Sequence, residues 1–285
     1  MPTQRKILIT GGAGMLGSDV ALAARAVNHE PVALGHEELY ILDRKAVEDA
    51  VIQNNPGAIV NCAAWTDVDG AESHFEEAIA ANGAGAGNVA AAAASLNVPV
   101  IYPSSDYVFD GTLEQGYVES DETGPLSAYG RSKLAGEKET AAANPRHYIV
   151  RASWLFGVNG RNFVDTMLGL ADTQDEVVVV RDQVGCPTYT GHLAAGLVSL
   201  LDGEDYGIHH MAGGGRCSWY EFAVEIFRQA GVGCRVLSAT SDMLDRPAPR
   251  PAFSVLVSER EHPILLPDWE EGLRDYLAER ARVHA

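Results

Sequence analysis

The chain has 285 residues, 46% of them hydrophobic and 21% charged, enough apolar content for one large core or a core with a smaller lobe beside it. That composition excludes a disulfide-stapled mini-domain, a collagen-like repeat and a disordered polymer. With 21 basic against 39 acidic residues the formal charge is −18, which argues against nucleic acid or an anionic membrane as partner but leaves room for a locally compensated anion pocket.

Residues 6–10 (KILIT) are an apolar run closed by Gly11 and Gly12, and residues 15–27 carry helical periodicity. The chain therefore opens as strand, tight turn, helix. A second apolar run, 31–34, ends at Gly35, and Asp43 stands as a cap before a helix over 44–54. Residues 58–62 (AIVNC) and 98–102 read as buried parallel strands, with one long helix over 76–96 between them. Ser104 and Ser105 follow the second of these strands. Residues 106–128 form a loop, 129–143 a helix and 147–151 a strand. A helix over 162–170, a strand over 176–180, a helix over 191–201 and a strand over 206–211 follow. Ser218 and Glu221 make a capping box for a helix through residue 230. Residues 241–254, where Pro247, Pro249 and Pro251 alternate with Arg246, Ala248 and Arg250, read as an ordered loop, and a last helix starts near Asp268.

Strands alternating with helices predict an α/β fold: a doubly wound parallel-sheet Rossmann domain with a smaller, discontinuous C-terminal substrate-binding lobe. The expected division is 1–157 plus about 191–211 for the first and about 158–190 and 212–285 for the second, the terminal helix being free to pack back on the first domain. The opening MPTQRKILITGG lacks a signal peptide's apolar stretch, no run of eighteen apolar residues occurs, and the four cysteines are widely spaced without a CxxC. The expectation is a cytoplasmic protein with free thiols.

Gly11, Gly14 and Gly17 give GxxGxxG between strand and helix. The first permits the tight turn, the second lets backbone approach a pyrophosphate, and the third lets the helix lie close to the sheet. At the end of the second strand the sequence reads Leu34-Gly35-His36-Glu37, so His36 or Arg44 is the candidate for approaching a ribose phosphate, and NADH and NADPH both stay open. Tyr129 and Lys133 lie at i,i+4 on one helix face. A lysine ammonium beside a phenol lowers the cost of releasing its proton, which makes Tyr129 a candidate general acid for a ketone oxygen. Ser105 at a strand end is placed to hold that oxygen beside it. Asp67, Asp69 and Glu72 read as a helix-start acidic group rather than a metal cluster, because no histidine joins them.

TGGAGMLG (10–17), NCAAWTDVDGAE (61–72), SSDYVFDG (104–111), PLSAYGRSKLAGE (125–137), RASWLFGVNGRNFV (151–164), DQVGCPTY (182–189), CSWYEFA (217–223), RPAFS (250–254) and LPDWEEGL (266–273) together carry a resemblance over nearly the whole chain. The sequence resembles the extended short-chain dehydrogenase/reductases, and within them the dTDP-4-dehydrorhamnose reductase family. The resemblance implies reduction of the C4 ketone of dTDP-4-dehydro-L-rhamnose by NADPH or NADH. It implies Ser105, Tyr129 and Lys133 as catalytic. It implies a cofactor wall of Gly11, Gly14, Met15, Leu16, Gly17, His36, Asp43, Ala63 and Ala64 with Tyr129 and Lys133. It implies a substrate wall of Thr66, Val68, Ser105, Tyr107, Trp154, Asn162, Gln183 and Arg250. Arg250 would grip the sugar nucleotide's diphosphate. Met15 stands where the family commonly has glutamine, and Tyr40 where it has aspartate. Asp19 matches one acidic position through which some members hold magnesium, but Gly191 matches another and supplies no carboxylate, so no metal is expected.

Three other readings share these residues. One is a reductase of another dTDP-4-keto-6-deoxysugar, with the same catalytic groups and a different lobe. Another is a non-catalytic regulatory binder of the same fold, against which the intact Ser105, Tyr129 and Lys133 argue. The third, an epimerase or dehydratase, would want an acidic pair beside Ser105, where Asp106 is followed by Tyr107. The expected partner is a dTDP-linked sugar, with no nucleic acid and no membrane; a homodimer is left open.

Overall fold

The structure, a computed structural model, describes residues 4–283. The first half builds β1 (Lys6–Thr10), α1 (Met15–Ala26), β2 (Glu30–Leu34), α2 (Arg44–Asn54), β3 (Ala58–Asn61), α3 (Gly70–Ser73), α4 (Phe75–Ile79), α5 (Ala86–Ser95), β4 (Val100–Ser105), α6 (Ala128–Ala143) and β5 (His147–Ala152). Then come β6 (Leu155–Phe156), α7 (Phe163–Ala171), β7 (Glu176–Val180), β8 (Val184–Gly185), β9 (Thr188–Tyr189), α8 (Thr190–Leu200), β10 (Gly207–His210), β11 (Cys217–Ser218), α9 (Trp219–Ala230), β12 (Arg235–Ala239) and α10 (Trp269–Val283).

Six strands form a parallel sheet in the order β10-β5-β4-β3-β1-β2. Ile7, Leu8 and Ile9 are wholly buried, as a strand covered on both faces requires. On one face Ile7 and Ile9 pack with Val20 and Ala24 of α1 and Leu193 and Leu197 of α8. On the other, Leu8 meets Val47 and Val51 of α2 and Val89 and Ala93 of α5. The strand order reverses between β1 and β3, so the crevice beyond their C-terminal ends is the switch point where ligands of such sheets bind.

Two elements differ from expectation. β4 runs three residues beyond 102, because Ser104 and Ser105 pair with Arg151 and Ala152 of β5. The helix expected over 76–96 is interrupted by a π-turn, Ala80–Gly85, between α4 and α5. There Asn82 reaches out to Trp65: its Nδ2 donates to the Trp65 carbonyl (3.1 Å) and to Ser132 Oγ (2.8 Å), and its Oδ1 accepts from the Trp65 amide (2.9 Å). The Asn82 carbonyl accepts from the Tyr102 hydroxyl (3.1 Å).

Beyond β5 the chain builds a second core around Phe156, Val164, Phe222, Ile226, Leu273 and Tyr276. Here β7 pairs in parallel with β12, a strand that sequence reading left unassigned. α8 and β10 return to the large sheet. α10 packs Leu273 and Tyr276 into the second core and reaches α8 through Asp275 Oδ2 on His192 Nε2 (3.0 Å). The proline loop is stitched between the lobes: Ser254 N donates to Val184 O (2.9 Å), and Tyr117 N to Val255 O (2.8 Å). Among the described residues no helix is long and apolar enough to cross a membrane.

Candidate active site

A cavity of about 800 Å³ opens at the C-terminal ends of β1, β3 and β4 and continues toward the second lobe. Its floor is the glycine turn. Gly11 has φ +62°, and a Cβ there would lie 2.6 Å from Ala63 N. A Cβ on Gly17 would lie 2.3 Å from Gly11 O, so only glycine lets α1 approach this closely. At Gly14 a Cβ would meet nothing nearer than Gly11 O at 3.2 Å; it would instead project into the space left for a ligand. No side chain caps α1, so its first-turn amides are left for an anion. This is the cradle a dinucleotide pyrophosphate fits. Met15, Leu16, His36, Ala63 and Ala64 line the same region.

Ser105 ends β4, Tyr129 sits in the first turn of α6, and Lys133 lies one turn later; all three reach the cavity. Ser127 caps α6 by accepting from Gly130 N (3.1 Å), and Glu72 Oε1 accepts from Ala128 N (2.7 Å), which fixes the start of that helix. Burial pushes the Tyr129 phenol up to about 12, Asp106 adding to the shift and a hydrogen bond with Ser105 opposing it. Lys133, also buried, is pulled down to about 8 by desolvation, against the charge of Glu137. Its Nζ donates to Pro103 O (2.8 Å) and lies 4.3 Å from the Tyr102 ring centroid. The expected depression of the phenol by Lys133 is thus corrected: desolvation dominates, and the phenol keeps its proton at neutral pH, the state a proton donor needs.

Thr66, Val68, Tyr107 and Trp154, expected on the substrate wall, line the same cavity. The Tyr107 and Tyr129 rings meet edge to face at 5.9 Å. Trp154 has φ +50° and stacks on Trp219 with centroids 3.6 Å apart. Sequence reading passed over Trp219, Asn159 and Arg161, which also line the cavity. The motifs CSWYEFA and VNGRNF contained them, but nothing in the spacing singled them out.

Four expected site residues lie off the cavity wall. Asp43 caps α2, its Oδ1 accepting from Ala46 N (3.0 Å). Asn162 is buried as the cap of α7, accepting from Asp165 N (3.0 Å) and donating to Gly157 O (2.9 Å) and the Tyr276 hydroxyl (3.2 Å), so its amide is spent internally. Gln183 donates to Ser241 Oγ (2.8 Å). Arg250 pairs with Asp69 Oδ2 (2.9 Å) and donates to Ala248 O (2.9 Å), while Arg246 lies 3.2 Å from the same carboxylate oxygen. Its guanidinium holds the proline loop to the segment after β3. Arg44, the other candidate for a ribose phosphate, donates to Glu48 (2.8 Å). Asp67 accepts from Gly70 N (2.9 Å), so the three early acids serve a helix start, a cap and an ion pair. Among the described residues no group of three or more His, Cys, Asp or Glu is arranged to hold a metal.

The profile of a family described as the RmlD substrate binding domain matches residues 5–282. The chain belongs to the RmlD substrate binding domain family. The dTDP-4-dehydrorhamnose reductase of Mycolicibacterium smegmatis is 43% identical over 96% of this chain and 85% of its own length. A dTDP-4-keto-6-deoxy-D-glucose reductase of Streptomyces niveus is 40% identical over 87% of each chain. The crystal structure of a Bacillus anthracis dTDP-4-dehydrorhamnose reductase in complex with NADP superposes with a TM-score of 0.94 at 35% identity, covering 97% of this chain and 100% of that one. Membership of the RmlD family accords with the parallel sheet, its glycine turn and the two-lobed cavity.

Proposed function

We propose that the protein is an NAD(P)H-dependent 4-ketoreductase that converts dTDP-4-dehydro-L-rhamnose to dTDP-L-rhamnose. The observation that carries this reading is the meeting of Ser105, Tyr129 and Lys133 with the glycine cradle in one cavity, in a chain 43% identical to such a reductase. The bound nicotinamide supplies hydride to the ketone carbon. Tyr129, protonated because its burial disfavours the phenolate, gives its proton to the oxygen as charge develops there. Ser105 lies beside that oxygen and stabilises the charge. Lys133 carries a positive charge below about pH 8 and presents it to the same region. Thr66, Val68, Tyr107 and Trp154 form the sugar wall.

A second reading, reduction of a different dTDP-4-keto-6-deoxysugar, is favoured by the 40% identity to the Streptomyces niveus enzyme. Following nicotinamide absorbance with a panel of dTDP-4-keto-sugars, each with NADPH and NADH, separates the two. Highest kcat/KM on dTDP-4-dehydro-L-rhamnose supports the first; preference for another sugar replaces it with the second; no oxidation with any ketosugar refutes both. A cytoplasmic setting belongs to the same reading, since Cys62, Cys186, Cys217 and Cys234 are all free.

A further inference from the structure

Next to Ser105, and itself on the cavity wall, lies a carboxyl group that the reaction outlined above does not use. Asp106 is 2% exposed and forms no ion pair among the described residues. Its Oδ1 is 3.1 Å from Ser105 Oγ and its Oδ2 is 2.5 Å from Ser254 Oγ. Ser254 sits in the stitched loop of the second lobe, itself 1% exposed. The groups facing Asp106 are Ser105 from β4, Tyr107 from its own turn, Tyr129 from α6, Cys186 after β8 and Ser254 from the loop. Three cations border this set: Arg250 addresses Tyr107, Arg216 acts on Cys186, and Lys133 lies one helical turn from Tyr129 on the same cavity wall.

A serine hydroxyl has one hydrogen and two lone pairs. At Ser105 one lone pair accepts from Tyr107 N (3.1 Å). While Asp106 is charged it is acceptor-only, so the Ser105 hydrogen is committed to Oδ1. What Ser105 then presents to the cavity is a lone pair, which can accept from Tyr129 but repels a ketone oxygen. With a proton on Oδ1, the carboxylic acid donates to Ser105 instead. The hydroxyl hydrogen is released toward the cavity, while Oδ2 still accepts from Ser254.

We propose that Asp106 is a positioning residue for the ketone-binding hydroxyl: its protonated form turns Ser105 from an acceptor into a donor toward the substrate oxygen, with Ser254 fixing the carboxyl from the second lobe. The proposal rests on the ketoreductase reading. One proton is taken from solvent to set the state and none is consumed by it, since Tyr129 supplies the proton that is transferred. Burial supports this, raising the Asp106 carboxyl to about 7 against the opposing hydrogen bonds from Ser254 and Ser105.

The test is the pH dependence of kcat for ketosugar reduction in the wild type, Asp106→Asn and Ser254→Ala, with an infrared titration of each cofactor-free protein. The wild type should lose activity about tenfold as pH rises through about 7, the value of one lost hydrogen bond. It should also show a protonated-carboxyl band that disappears over the same range. Asp106→Asn should lack both the band and that limb, keeping only the separate alkaline loss near 8 from Lys133. Ser254→Ala, which removes a hydrogen bond to the charged form, should move the midpoint upward, a shift that mere loss of packing does not produce. Identical profiles in wild type and Asp106→Asn, an unmoved midpoint in Ser254→Ala, or no titrating carboxyl band that Asp106→Asn removes would each overturn the proposal. Absence of turnover in the wild type at every pH would instead remove the ketoreductase reading, and the proposal with it.

Discussion

On the nucleotide side the cavity wall is backbone. Gly11, Gly14 and Gly17 shape it and α1 presents uncapped amides to it; Gly14 and Gly17 approach Gly11 within the same turn, and Gly11 lies against Ala63 after β3. On the side proposed for the sugar the wall is side chains held by distant partners: Trp154 by Trp219, Tyr107 beside Arg250, and the Arg250 loop by Asp69. A backbone cradle recognises what all dinucleotides share. A wall of clamped side chains can be exchanged one residue at a time, so it is the half expected to decide which sugar is taken. Lesions on the two sides should therefore separate: cofactor affinity and chemistry on one, KM for the sugar nucleotide on the other.

The largest break should come at the residue that serves both halves. Tyr129→Phe removes the proton source and should cut kcat roughly 10²–10⁴-fold. The dissociation constant for NADPH, measured by titration calorimetry, should change little. A kcat within a few-fold of wild type would take Tyr129 out of the chemistry.

Lys133→Ala should weaken NADPH binding by about 10–100-fold, the value of one charge-assisted hydrogen bond. In the wild type that affinity should fall as pH rises through about 8, because below it Lys133 is charged and above it neutral. The variant should bind equally at both ends of the range. A pH dependence that survives the substitution would assign it to another group.

Arg250→Ala sharpens the sugar side. We expect KM for the dTDP-sugar to rise about tenfold with KM for NADPH unchanged, because losing the Arg250–Asp69 pair, a charged hydrogen bond of about 1.5 kcal/mol, frees the proline loop and the Tyr107 it holds. Because Arg250 is held by Asp69, Asp69→Asn should reproduce much of that rise, and the double variant should be no worse than Arg250→Ala. Additive effects would show that Arg250 meets the substrate independently of the clamp.

The smallest effect lies outside both walls. Asp19, on α1, is 5% exposed, its Oδ2 lacks a hydrogen-bond partner among the described residues, and burial raises its pKa to about 6. The native state holds this proton more tightly than the unfolded chain. Stability from this site is therefore lost as pH rises from about 4 through about 6. Asp19→Asn should raise Tm by a few degrees above that range, about 1–3 kcal/mol, and not below it, with kcat unaltered. A Tm gain that is equal in acid would point to a cause other than the carboxylate's charge.

The glycine turn and the meeting of Ser105, Tyr129 and Lys133 in one cavity were legible because their signals are local: glycines at fixed offsets, Tyr129 and Lys133 one helical turn apart, apolar runs ending at the sheet's edge. Asp43 shows the limit of such signals, since its position suggested a helix cap while the resemblance put it on the cofactor wall, and the cap is what the structure displays. The sugar wall was legible only through the resemblance. Arg250 lies 181 residues from Asp69 and Ser254 148 residues from Asp106, and no periodicity encodes those pairings. The acidity of Tyr129, though not its role as proton donor, was expected in the wrong direction for a related reason: spacing places Lys133 nearby but does not report how completely both groups are removed from water.

The π-turn at Ala80–Gly85 is, in effect, a helix carrying one surplus residue, and deleting a residue there is the edit that would make the helix regular. Regularity would come with a change of phase. Each residue turns an α-helix by about 100°, so every side chain upstream of the deletion would be rotated by that much against α6. Phe75 and Ala78 would leave their places beside Trp65 and Tyr129. Asn82 would lose its hold on Trp65, and Tyr102 the carbonyl it bonds. The irregular turn thus acts as a phase adjuster, letting one helix satisfy a tight alanine-rich contact at one end and the floor of the active site at the other.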